Sequence, residues 1–555
     1  MRIGLILLVA ILLAPASHAA ALRPNILLLM AEDMSSRVGV FGDTVAVTPT
    51  LDALASESVR YTNVFTTAGV CAPSRAAHIL GMNQISTGTQ HMRSSGAPQG
   101  GYYAVPPVGV KAYPELLRAA GYYTFTDQKL DYQFSSPFPG SGPLTIWDSE
   151  GEANPLWQDR APGQPFFGFR NFMVTHESGI FLPLGEMPNS AMHFVMQLMR
   201  WWRIDGDITE VVSPQQVILP PYYPDTPTVR SDVARHYNNV AAMDKEVAAI
   251  LKQLEVDGLA DSTIVIWTTD HGDGLPRAKR ELYDSGIKVP MLIRWPEAFR
   301  PEGVQPSSVD QRLISFLDLA PTILKLAGVE LPGYLQGQDF ASPSPSTRAL
   351  QREYIYAARD RIDEVLDRQR AVRDHRFKYI RSWQPDQIEG HELEFRDNLD
   401  MVREMRQLHE QGKLNAAQSL WFEAAGEERL FDLEKDPFEI NDVSEDPQYA
   451  EDLQRLRKAL TAWQARVGDM SDESEEKMAA RFAPGGEQQI TPTPKLDING
   501  DTVTATATSP DHSIAYRVDE GPWHLYTVPF SKGLGSVEVK AVRYGWEHSE
   551  SVSSP

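Results

Sequence analysis

The sequence predicts an α/β domain followed by a small all-β unit. Residues 25–30 (Asn-Ile-Leu-Leu-Leu-Met) form an unbroken apolar run, as in strands covered on both faces, and residues 263–267 form a β-branched run of similar length. Between them Val233, Tyr237, Val240, Met243, Val247, Ile250, Leu251 and Leu254 recur at helical spacing over 231–254, with Gly258 as a stop signal. Near the end the period becomes two, through Val503, Ala505 and Ala507, then Ile514, Tyr516 and Val518. Glycine and proline turns separate these runs, which predicts a small β-sandwich over 495–555.

In chain order, the first strand ends in Glu32 and Asp33. Open α/β sheets bind ligands beyond the C-terminal ends of their strands. Paired carboxylates there suit a hard cation such as Ca²⁺ or Mg²⁺, and a polar turn has the same composition. Thr48-Pro49 opens a helix with Leu51, Leu54, Ala55 and Val59 on one face. Next comes Cys71-Ala72-Pro73-Ser74-Arg75, and Pro73 suits the first turn of a helix continuing to residue 81. Cys71 then sits at a helix N-terminus, where free N–H groups attract anions, and Arg75 adds a fork of donors. Either a reactive group aimed at an oxyanion or a buried structural cysteine fits.

The following loop carries His91 and Arg93, candidate substrate contacts or solvated residues. A turn and strand over 121–125 lead to Lys129-Leu130-Asp131, and a strand over 166–174 ends at His176. Residues 185–230, rich in proline, tryptophan and methionine, read as an insertion able to shape a cleft. Asp270 and His271 end the strand that begins at residue 263, and Lys279 precedes another strand over 289–294. An apolar helix is expected over 313–326, a strand over 370–383, and a helix with Leu453, Leu456, Leu460 and Trp463. Residues 483–494 have the composition of a linker.

The net charge of −22 disfavours nucleic acid and requires a local basic cluster for any anionic substrate. Residues 1–19 read as a secretory signal, with Arg2, an apolar stretch over 5–13 and Ser17-His18-Ala19 as the cleavage site. No later run is long enough for a transmembrane anchor. An exported protein, periplasmic or extracellular, is expected. With Cys71 the only cysteine, it has no internal disulfide.

Cys71-Ala72-Pro73-Ser74-Arg75 resembles the Cys-x-Pro-Ser-Arg signature of the type I sulfatases, in which the cysteine is oxidised to formylglycine. The run from Arg23 to Arg75 is similar to the family's N-terminal block, with Glu32 where many members have Asp. Two departures stand out: Leu80-Gly81 replaces a Thr-Gly pair, and Asp131 replaces the histidine of a Lys-x-His block. The segments 220–258 and 284–286 resemble the heparan N-sulfoglucosamine sulfohydrolase branch, and 428–441 resembles the family's C-terminal subdomain.

The resemblance implies an alkaline-phosphatase-like sandwich with a large mixed sheet between helices. The implied organisation is a catalytic domain over 20–345, a smaller α+β subdomain over 346–482 and the appended β domain. It implies Ca²⁺, or Mg²⁺, held by Glu32, Asp33, Asp270 and His271, and conversion of Cys71 by a formylglycine-generating enzyme. Arg75, Lys129, His176 and Lys279 are then sulfate contacts, and Asp131 orients a hydroxyl. The implied activity is sulfate removal from a polysaccharide-derived oligosaccharide, on oxygen or nitrogen. Two alternatives stay open: a phosphate or phosphonate ester hydrolase of the same superfamily, and a non-catalytic binder of sulfated glycans should residue 71 remain a cysteine.

Overall fold

The structure, a computed structural model, describes residues 23–97, 100–151, 157–181, 187–202, 208–341 and 352–554. The expected signal segment lies outside the described residues. The first part runs β1 (Asn25–Ala31), α1 (Pro49–Ser56), β2 (Ser58–Phe65), α2 (Cys71–Leu80), α3 (Tyr113–Ala119), β3 (Tyr123–Thr126), β4 (Ser149–Glu150) and β5 (Phe166–Phe172). It continues through α4 (Ala191–Trp201), α5 (Pro227–Val256), β6 (Thr263–Thr269), β7 (Lys288–Arg294), β8 (Val309–Asp310) and β9 (Ile314–Ser315).

These strands form one mixed sheet in the order β4-β3-β5-β1-β6-β7-β2-β8, with β9 also paired to β2. Strands β4 to β6 along that order are parallel, and β7 is antiparallel to both neighbours. Alternation along β1 explains its unbroken apolar run. Ile26, Leu28 and Met30 pack with Ile79 and Leu80 of α2 and Tyr113 and Leu117 of α3. Leu27, Leu29 and Ala31 pack with Leu51 and Leu54 of α1 and Val240, Met243 and Val247 of α5. A strand sandwiched in this way cannot afford a polar residue on either face.

Helix α5 exceeds its expected span because Thr226 caps it, accepting the Val229 N–H at 3.2 Å, with Pro227 in the first turn. The helix expected over 313–326 is shorter. Residues 314–315 pair with β2, the Ser315 N–H donates to Asp318, and the α-helix begins only at Leu319. The single strand expected over 370–383 is broken by a turn at 374–376: its first residues end one strand of a hairpin and residues 377–382 form the other.

That hairpin belongs to an antiparallel sheet of β10 (Ile355–Ile362), β11 (Val365–Arg373), β12 (Phe377–Ser382) and β13 (Glu428–Asp432). Its outer face packs on Leu453, Leu456, Leu460 and Trp463 of the helix Ala450–Val467, and its inner face meets Phe65, Leu282 and Tyr283.

The terminal unit has antiparallel sheets of three and four strands sharing Val503, Ala505, Ile514, Val537 and Val539. Residues 483–494 lie against it through an Ile490–Glu547 bridge. Among the described residues, no helix is long and apolar enough to cross a membrane.

Candidate active site

Three neighbouring parallel strands end at the same level. The register pairs Ala31 with Phe172 on one side and with Thr269 on the other. The next residues of each chain therefore emerge together: Glu32 and Asp33 after β1, the turn to His176 after β5, and Asp270 and His271 after β6. Asp33 has φ 45°, a left-handed conformation that redirects the chain at once. Its N–H donates to Asp270 Oδ1 at 3.0 Å, and its Oδ2 accepts the Glu177 N–H at 2.7 Å.

Helix α2 brings Cys71 onto this edge. Its first turn is held by Ser74, whose hydroxyl donates to the Asp270 carbonyl at 2.7 Å. Cys71 is 1% exposed. Its Sγ lies 3.3 Å from His271 Nε2 and 3.7 Å from Asp33 Oδ1. Arg75, one turn later, donates to Asn171 Oδ1 at 2.8 Å, to Asp270 Oδ2 at 3.3 Å and to Glu32 Oε1.

The cluster is rich in compensated charge. Lys129 Nζ donates to Glu32 Oε2 at 2.6 Å, and Lys279 pairs with Asp33. Burial alone would raise the Glu32 carboxyl, but Arg75 and Lys129 outweigh it and lower it to about 2. Burial likewise works against Asp33, and Lys279, His176 and His271 hold it well below the usual carboxylate range. Asp270 is raised by burial and by the Glu32 charge. Desolvation would deprotonate His271, yet Asp270, Cys71 and Asp33 keep it well above the ordinary imidazole value. His176 goes the other way, lowered by burial and by Lys279.

The carboxylates Glu32, Asp33 and Asp270 are donors of the kind a hard cation takes, and Cys71, His176 and His271 stand beside them. Ligand atoms of Asp33, Asp270, His271 and Cys71 lie within 4.8 Å of one another, as do those of Glu32, Asp33, Cys71 and His176. The Nδ1–H of His271 donates to the Gly272 carbonyl at 3.0 Å, which turns Nε2 inward, 3.0 Å from Asp33 Oδ1; a cation bound there would displace the Nε2 proton.

Of the residues expected from the sequence, Glu32, Asp33, Cys71, Arg75, Lys129, His176, Asp270, His271 and Lys279 converge here. Asp131 stands 3.6 Å from Lys129 Nζ and 3.9 Å from Arg93 Nη2. Its Oδ2 is buried and accepts no hydrogen bond. His91 does not join them. Its Nδ1 accepts the Arg361 N–H at 3.3 Å and lies 3.9 Å from Glu475. The Met92 N–H donates to the Arg361 carbonyl at 2.9 Å, which holds this stretch against the edge of the C-terminal sheet, and Arg93 is left-handed at φ 49°.

Several contributors were hidden in the sequence. Asn171 reads as an ordinary strand residue, yet it accepts from Arg75 while its amide donates to the Asp127 carbonyl at 2.6 Å. Glu177 and Arg280 read as loop charges, yet they form a buried two-bonded pair at 2.9 and 3.0 Å, with Lys279 3.5 Å from the same carboxylate. Asp273 receives the Ser35 N–H at 2.8 Å and pairs with Arg37 and His236, tying the β1 and β6 ends together. In the insertion, α4 is inverted: His193 and Gln197 are buried, whereas Phe194, Val195, Trp201 and Trp202 are exposed.

Comparison with known proteins bears on this site. The chain is 39% identical to an ulvan-active sulfatase of Formosa agariphila, over 96% of this chain and 91% of that protein. It is 26% identical to human N-sulphoglucosamine sulphohydrolase, over 80% of this chain and 91% of that protein. Its fold matches a protein solved with its substrate D-glucosamine-2-N,6-O-disulfate at TM-score 0.54 and 19% identity, over 80% of this chain and 98% of that one. It also matches the phosphonate monoester hydrolase of Agrobacterium radiobacter at TM-score 0.51 and 17% identity, over 80% and 96%. The profile for the N-sulphoglucosamine sulphohydrolase C-terminal region covers residues 277–421. With the Sulfatase profile matching residues 24–329, more than half of its length, this chain belongs to the sulfatase family of sulfuric ester hydrolases.

Proposed function

We propose that the protein is an exported sulfatase acting on a sulfated oligosaccharide, with residue 71 matured to formylglycine and Ca²⁺ or Mg²⁺ held by Glu32, Asp33, Asp270 and His271. The observation that carries this reading is the convergence of Cys71 with three buried carboxylates and three buried cations on one sheet edge. A divalent cation at these carboxylates would polarise the sulfate and favour the ionised hydrate.

The chain's own groups supply the rest. As a hydrated aldehyde, residue 71 offers an oxygen for attack on sulfur, and its geminal hydroxyl allows the sulfated product to collapse by elimination. A serine could not release sulfate in that way. Arg75, Lys129 and Lys279 remain charged and can neutralise the equatorial oxygens of the transferring group. His176 is held neutral. Its Nδ1 accepts the Ser178 N–H at 3.3 Å, which leaves Nε2–H to hydrogen-bond the leaving oxygen or nitrogen, while the proton taken up by the leaving group comes from charged Lys279. Asp131, whose buried Oδ2 is ion-paired with Lys129 and Arg93 but accepts no hydrogen bond among the described residues, suits a hydroxyl of the hydrate or of the sugar.

Ulvan-derived oligosaccharides are the first substrates to test, given the name of the 39% identical relative, with glucosamine N-sulfate second. Mass spectrometry of the peptide containing residue 71 should show a loss of about 18 Da on conversion of thiol to aldehyde. Sulfate release from the sugars and from an aryl sulfate should track that conversion. An unconverted cysteine with no sulfate release would favour the glycan-binding alternative, and faster turnover of an aryl phosphate would favour the phosphatase-like one.

A further inference from the structure

We propose that the C-terminal β unit is a working part of the active site: through Tyr544 and Gly545 it positions the loop that carries Lys129 and Asp131. This rests on the reading of Lys129 as a sulfate contact. Within that loop Gln128, Asp131 and Gln133 all have positive φ, at 56°, 57° and 67°. Three left-handed non-glycine residues so close together cost conformational energy, and they persist only where the surroundings over-determine them.

Much of that restraint comes from more than 400 residues away. Tyr544 is 1% exposed and belongs to the core of the large sheet, not to that of its own β unit. Its ring stacks on Phe134 at 4.9 Å and 10°, and Phe134 in turn packs on Tyr132 at 5.6 Å. Its hydroxyl donates to Glu115 at 2.6 Å. The Gly545 N–H donates to the Phe134 carbonyl at 3.1 Å. Gly545 has φ 82°, and a Cβ there would stand 2.2 Å from the Ala104 carbonyl oxygen, so glycine is required on both counts. Ala104 in turn donates to the Gln133 carbonyl at 2.9 Å. Arg543 donates to the Pro106 carbonyl at 2.6 Å, and Lys111 reaches Asp511 O and Ser513 Oγ at 2.8 and 2.6 Å. The β unit thus holds the C-terminal flank of the strained loop, directly at Phe134 and through the 104–115 segment bonded to Gln133, while Lys129 near the loop's start reaches Glu32 and Asp131 in its middle faces Arg93.

Hydrogen exchange and steady-state kinetics on the full-length protein test this. In the wild type, amides of 128–137 and 537–547 should open with the same free energy as denaturant rises. In Tyr544→Leu, exchange over 128–137 should quicken while 25–31 stays protected. The kcat should drop by about tenfold or more with KM changed far less, and Tyr544→Phe, which keeps the stack, should restore both. Should Tyr544→Leu fail to fold, Phe134→Leu removes the same stack from the other side. The proposal is overturned if 537–547 opens while 128–137 remains protected, or if the loop loosens in the variant with kcat unchanged. An undiminished rate in Lys129→Ala would instead overturn the assignment of Lys129, and the exchange result would stand apart from it.

Discussion

The site has two halves built by different means. One half, Glu32, Asp33, His176, Asp270 and His271, sits at the ends of adjacent parallel strands whose register brings them level. The other half, Arg93, Lys129 and Asp131, rides on loops with left-handed residues, and Lys129 and Asp131 depend on contacts from a separate β unit. Strand-end chemistry follows from the sheet itself, so local sequence suffices to place it. Loop-borne chemistry needs restraint that local sequence does not encode.

The largest expected effect falls on the strand-end half and on the residue facing it. Cys71→Ala should lower sulfate release by about 10⁴-fold or more while the melting temperature stays near that of the wild type. A substantial residual rate would mean that another group is the nucleophile. Asp33→Asn should cost activity on a similar scale and also weaken binding of Ca²⁺ or Mg²⁺ in calorimetry, since it removes charge shared by both ligand clusters. Unchanged cation binding would detach Asp33 from the metal.

In the loop half, Lys129→Ala should lower kcat by about 10²- to 10³-fold, as for loss of one preorganised donor to the transferring group. Asp131→Asn should cost less, about tenfold, because it removes a carboxylate beside Lys129 and Arg93 but leaves the cation that meets the sulfate in place. Should Asp131→Asn prove the more damaging of the two, Asp131 would be acting as a base.

The last prediction concerns stability, with no change in turnover expected at neutral pH. His78, in α2 behind Cys71, is lowered to about 3 by burial and by Arg75, and it contacts the Tyr113 hydroxyl at 3.0 Å. In the unfolded chain it titrates near its ordinary value, so between about pH 6.5 and pH 3 the unfolded state binds more protons. His78 therefore costs stability as pH falls through that window, by about 1.4 kcal/mol per unit, and has no effect above it. Urea unfolding of His78→Gln across that range should show a correspondingly shallower slope. An unaltered slope would mean that His78 is protonated in the folded chain.

The sequence is informative where physics is local. The apolar run ending at Glu32 and Asp33 and the β-branched strand ending at Asp270 and His271 are strands as expected, and the α5 stripe is core apart from a half-buried Leu251. Distant partners carry no such pattern. Glu177 and Arg280 are far apart in the chain and look solvated until they pair, and nothing in the alternation of the last strands marks Tyr544 as core for another sheet. His91 lies in a loop whose sequence suits a pocket rim, yet its partners, Arg361 and Glu475, come from segments about 270 and 380 residues away that no local pattern announces.

Cys71 is 1% exposed once the chain has folded, too little for a second protein's active site to close around it. Any enzyme that rebuilds this side chain must therefore meet it while the polypeptide is still open, before α2 settles against the sheet. On the proposed formylglycine reading, the fraction of competent molecules would be fixed at synthesis, and protein made without a maturing enzyme would fold well and stay inert.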